Sequence, residues 1–75
     1  MNNPKRARFE KIASNRVQKI LDTLTSLSNC SNKNNYEYSK DDADRMFRII
    51  KEKVRETELV FQSKLNKSTS NTFKF

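Results

Sequence analysis

Six cations open the chain: Lys5, Arg6, Arg8, Lys11, Arg16 and Lys19 fall within residues 1–28, against only two acids, Glu10 and Asp22. At about 100° of rotation per helical residue, Lys5, Arg8, Lys11, Arg16 and Lys19 occupy one side. A row of ammonium and guanidinium groups is the chemistry of phosphate contact, in which each cation displaces counterions whatever the base sequence. Base reading is a separate matter. Arg6, Arg8, Asn15 and Arg16 carry the planar forks that suit base edges, but nothing in their spacing fits this segment to a groove.

The other end of the chain is basic too, with Lys64, Lys67 and Lys74 and no acid after Glu58. Residues 41–58 between them hold five basic and six acidic side chains. There Arg45, Arg48, Lys51 and Arg55 interleave with Asp44, Glu52, Glu56 and Glu58, some at i,i+4, which predicts a solvated, self-neutralised face. The net charge of +7 is therefore concentrated at the two ends and favours an anionic partner. A solubilising surface, the bland alternative, needs only mixed signs.

Other chemistry is addressed by absence. The sequence has no histidine and no glycine, hence no imidazole base and no glycine-rich phosphate loop, and no nucleophile elbow. No catalytic residue and no cofactor is assigned, and the expectation is a protein that is not an enzyme. Asp41, Asp42 and Asp44 are explained by a helix N-terminus, where carboxylates meet the positive end of the dipole, before a metal need be invoked.

These groups must be positioned by helices. No glycine occurs and the single proline is Pro4, so no interior position carries a strong breaker. Phe9, Ala13, Val17, Ile20, Leu24 and Leu27 recur at spacings of four and three, with Ile12 and Leu21 widening the stripe, which predicts a helix over 4–28 capped by Asn3. Asn29, Ser31, Asn32, Asn34 and Asn35 compete with helix and mark a connector over 29–38 that ends in Tyr36 and Tyr38. Ser39-Lys40-Asp41-Asp42 reads as a capping box opening a second helix over 39–66. That helix carries Ala43, Phe47, Ile50, Val54, Phe61 and Leu65 on one face, with Met46 beside them and Thr57 in the remaining stripe position. Residues 67–75 are read as a flexible basic tail ending in Phe73 and Phe75.

A chain of 75 residues, 33% apolar, buries too little surface to be secure alone. Small domains draw support from disulfides, a metal or another chain. Cys30 is the lone cysteine, and without histidine the usual metal sets cannot form, so association remains. The expected fold is all-α: an antiparallel two-helix hairpin over 1–66, assembled as a dimeric four-helix bundle. In a hairpin the two basic ends meet and form one electropositive pole. Ile49, Leu59 and Val60 fall outside the stripe and, with Phe73 and Phe75, are candidate contacts for another protein. No apolar run approaches membrane-spanning length and no signal sequence is evident, so the expected location is the cytoplasm, away from membranes.

Arg8-Phe9-Glu10-Lys11, Arg16-Val17-Gln18-Lys19, Asn29-Cys30-Ser31-Asn32 and Tyr36-Glu37-Tyr38-Ser39 resemble short helical proteins of unassigned function encoded on plasmids, phages and conjugative elements of Gram-positive bacteria. The resemblance covers roughly residues 6–61. It implies a mobile-element setting and carries no functional residue. A ribbon-helix-helix protein needs a strand that residues 1–5 are too few and too polar to supply, and a helix-turn-helix unit needs a shorter turn.

Two functions follow. The first is a non-enzymatic nucleic-acid-binding accessory protein, homo-oligomeric, contacting phosphates through Lys5, Arg6, Arg8, Lys11, Arg16, Lys19, Lys64 and Lys67. The second is a protein-interaction module, an adaptor or inhibitor, using Ile49, Leu59, Val60, Phe73 and Phe75. Membrane-surface binding ranks third, because the apolar face of the first helix is better spent against the second.

Overall fold

The computed structural model describes residues 3–70, and side-chain surroundings for residues 3–66. Within them it is all-helical with no strand: α1 spans Pro4–Ser28, a 3-10 turn covers Asn29–Ser31, and α2 spans Lys40–Ser70. The chain divides into two units between Glu37 and Tyr38, the first built on α1 and the 3-10 turn, the second on α2.

Local chemistry sets the ends of α1. Asn3 is extended (φ −107°, ψ 106°) and its Oδ1 accepts from the backbone N–H of Lys5 at 3.0 Å and of Arg6 at 3.2 Å. Two of the first-turn donors that no helix can satisfy internally are thereby satisfied. Pro4 takes the first helical position, where its missing N–H is no loss. At the other end the N–H of Asn29 reaches back to the carbonyls of Ser26 and Leu27, tightening the last turn into the 3-10 form. The hydroxyl of Ser28 donates to the carbonyl of Thr25 at 2.6 Å, covering another terminal acceptor.

Asparagine then organises the connector. The N–H of Asn34 donates to Asn32 Oδ1 at 2.9 Å, and the N–H groups of Asn35 and Tyr36 donate to the carbonyl of Asn32 at 3.1 and 3.0 Å. This is the side-chain-to-backbone competition that makes asparagine a helix terminator. Helix resumes through the capping box: Asp42 N–H donates to Ser39 Oγ at 3.1 Å, and Ser39 N–H donates to Asp42 Oδ2 at 2.9 Å. Aspartate thus closes the box in place of the longer glutamate.

The far end of α2 differs from the sequence reading. The helix was expected to end at 66, yet it continues through Ser70. Lys67 is a good helix former; Ser68, Thr69 and Ser70 are mediocre ones, but each gives up only a few tenths of a kcal/mol against alanine, and no glycine or proline intervenes. Residues 71–75, and with them Phe73, Lys74 and Phe75, lie outside the described residues.

Burial is where the energetics turn. No described residue is buried; Ala13, Leu27, Tyr38, Ala43 and Ile50 are half-buried, and the rest are exposed. Phe9, Val17, Ile20, Phe47, Val54 and Phe61 would each contribute about 1.5–3 kcal/mol on going from full exposure to full cover, and at 44–57% exposure about half of that is not realised within one chain. Most helical stability in proteins comes from packing of an amphipathic face, and without it the caps just described carry an unusual share of the stability.

Candidate functional site

The cations of α1 are set by its helical register. Lys5, Arg8, Lys11, Arg16 and Lys19 lie within an arc of about 140°, and none of the five forms an ion pair among the described residues. The row spans about 21 Å at 1.5 Å per residue. Its acidic neighbours are otherwise engaged. Gln18 Nε2 donates to Asp22 Oδ1 at 2.9 Å, and Glu10 is held by Arg6.

Arg6 stands apart from this row. It projects from the apolar side, about 100° from Lys5, where its Nε donates to Glu10 Oε2 at 3.0 Å and its guanidinium sits 5.6 Å from the centroid of the Phe9 ring. An exposed i,i+4 pair is worth about 0.3–0.5 kcal/mol, and a cation over an exposed ring about 0.5–1 kcal/mol. Arg6 is therefore occupied within α1 before any ligand arrives, unlike the other five.

On α2 the ion pairs fall elsewhere than expected. Lys40 Nζ meets Asp44 Oδ2 at 2.8 Å and Lys53 Nζ meets Glu56 Oε1 at 3.7 Å, while Arg48, Lys51 and Arg55 have no ion pair among the described residues. The self-neutralised face of the sequence reading is not what forms. Asp44, the favourable partner one turn before Arg48, is taken by Lys40, and Glu52 follows Arg48 in the less favourable order. Lys51 has no acid three or four residues away on either side. Arg48, Lys51 and Arg55 line an open groove of about 460 Å³ together with Asp44, Phe47 and Glu52. Sequence reasoning passed over this second group of cations because alternation of sign along the chain was taken for pairing in space.

Lys64 is exposed on the flank of α2 that also carries Met46 and Lys53. Lys67 lies in α2 by its backbone, but its side chain is outside the described surroundings. Of the candidate protein contacts, Ile49 and Val60 share one lane of α2, about 20° apart, whereas Leu59 lies roughly 80–100° away beside Arg55. Ile49 is 58% and Val60 57% exposed. The helix thus unites two of the three and separates the third.

Asp42 is held below the usual carboxylate range, first by the backbone N–H of Ser39, then by that residue's hydroxyl, with the charge of Arg45 assisting. These are bonds to the charged form, which favour it. With Asp42 given to Ser39 and Asp44 to Lys40, the acidic first turn is accounted for by helix chemistry. Among the described residues no group of three or more cysteine, aspartate or glutamate side chains could hold a metal ion. None of the helices among these residues is long and apolar enough to cross a membrane.

No family model, curated protein or solved structure matches the chain. The arrangement must be judged on its own chemistry: five unpaired cations in a row on α1, three more on one flank of α2, and apolar stripes that a single chain leaves open.

Proposed function

We propose that this chain is a nucleic-acid-binding accessory protein without catalytic chemistry, acting as an assembly of two copies in the cytoplasm. The observation that carries the reading is the row Lys5, Arg8, Lys11, Arg16 and Lys19, cations of one helix side with no acidic partner to displace. Phosphates along a strand are the extended anion such a row matches, and binding of this kind fixes position without reading sequence. Arg48, Lys51 and Arg55 supply further contacts on α2.

The proposal includes an antiparallel hairpin whose apolar stripes close against a second copy in a four-helix bundle, with the basic ends of each chain at one pole. Exposure of both stripes in the single chain supports closure against a second copy. The mobile-element setting is supported only by the resemblance of the quoted segments. Titration of labelled duplex and single-stranded DNA at two salt concentrations tests the binding. Affinity should fall steeply as salt rises, and absence of binding at low salt would overturn the reading.

A second reading, a protein-interaction module, is favoured by one observation: Ile49 and Val60 form an exposed apolar lane away from the main stripe. Under it, replacing Ile49 and Val60 with glutamate abolishes capture of a partner, while charge reversal at Arg8 and Lys11 leaves capture intact.

A further inference from the structure

The apolar positions of α2 do more than mark a face. Ala43, Phe47, Ile50, Val54 and Phe61, with the polar Thr57 at the remaining position, alternate spacings of four and three. Phe47, Val54 and Phe61 recur every seven residues, as do Ala43, Ile50 and Thr57, and a seven-residue repeat is that of a two-stranded coiled coil. Phe47, Val54 and Phe61 take the a positions of this heptad and Ala43, Ile50 and Thr57 the d positions. All are solvent-accessible within one chain, Val54 at 54% and Phe61 at 53%.

We infer that α2 pairs with α2 of a second copy of this chain, parallel and in register. The inference rests on the reading that the stripes close on a second copy, and it specifies how. With the heptad fixed, the flanking g positions are Met46, Lys53 and Val60 and the e positions Asp44, Lys51, Glu58 and Leu65. In a parallel pair each g residue faces the e residue of the next heptad on its partner. Lys53, which reaches Glu56 of its own chain at 3.7 Å, then also meets Glu58 of the second copy, and Val60 meets Leu65, each twice by symmetry.

The charged flanks of this seam are two acids and two bases, so copies that each carry +7 overall meet along a neutral line. A shift of one heptad sets Lys53 opposite Leu65 and loses the charge match. An antiparallel pair sets g against g and e against e, which breaks both matches and leaves only Lys51 able to face an acid. Lys64 takes the next d position, so the apolar seam ends after Phe61, and its long stem can carry the ammonium out to solvent. Arg48 and Arg55, at b positions, stay outside the seam and open to anions.

The test uses the full chain with Cys30→Ser, to which Ala43→Cys or Lys64→Cys is added singly. Both sites occupy d positions near opposite ends of the seam. Parallel, in-register pairing brings each to its own counterpart, so both variants should oxidise to disulfide dimers in a glutathione buffer, since a bridge requires Cα atoms within about 7 Å. A sedimenting dimer in which neither variant cross-links overturns the parallel seam while leaving self-association intact. A monomer at micromolar concentration overturns the seam and the two-copy reading together, and DNA binding by that monomer would still uphold the basic row. As a check that needs no new cysteine, Lys53→Glu should weaken dimerisation about tenfold, and adding Glu58→Lys should restore it. Failure of the double exchange to rescue would remove the charge argument.

Discussion

The row on α1 makes a quantitative prediction about salt. Its five unpaired cations, if each neutralises one phosphate, give a slope of log affinity against log salt of about −4.5 per engaged chain, at about 0.9 per contact on duplex DNA. A fourfold rise in salt then weakens binding about 500-fold. Replacing Arg8, Lys11 and Arg16 with glutamine keeps good helix formers in place while removing three charges. The slope should fall to about −1.8, so that the same rise in salt weakens binding only about 12-fold. Arg6→Gln is the informative control. Because Arg6 is already held by Glu10 and stacked over Phe9, its loss should change the slope far less than loss of any residue in the row. Fluorescence anisotropy with a labelled duplex, at several salt concentrations and with helicity checked by circular dichroism, supplies the measurement. A triple variant whose slope stays within about 0.5 of the parent, or an Arg6 variant whose slope falls as much as that of Arg8→Gln, would refute the assignment of contacts.

Three further outcomes follow from the caps and from the open stripes. Asn3→Ala should lower stability by about 1 kcal/mol, seen as faster amide exchange in the first turn of α1. Because the folded-state pKa of Asp42 is depressed, its contribution is present above the unfolded value near 4 and is lost as pH falls through the lower folded value. Helicity at the start of α2 should therefore fade on acidification, and Asp42→Asn should blunt that change in residue-resolved NMR. Finally, with no described residue buried, helicity at 222 nm should rise with protein concentration, and the melting temperature with it; a concentration-independent melt would contradict association.

What the sequence made legible was governed by short-range chemistry. Asn3 with Pro4, and Ser39 with Asp42, are contacts within three residues, so the caps and the boundary at Ser28 could be read without any knowledge of tertiary structure. The run beyond Asn66 misled because a polar composition was weighed more heavily than the absence of a breaker, and α2 continues to Ser70. Pairings between charged side chains were less legible still. Helical register already sets Arg6 apart from the row, but its engagement with Glu10 and Phe9 is a matter of rotamer that the sequence does not show. The group Ile49, Leu59 and Val60 was read from hydrophobicity alone, whereas helical rotation divides it.

An uncovered chain also has consequences for its abundance. A protein whose described large apolar residues mostly lie open to water in the single copy would be exposed to proteases until it finds company, and its survival would then depend on dose. If the proposed pairing holds, the paired amount grows with the square of the free concentration, so a modest rise in synthesis would convert a rapidly degraded population into a protected one, and the chain would accumulate only above a threshold of expression without a separate regulator.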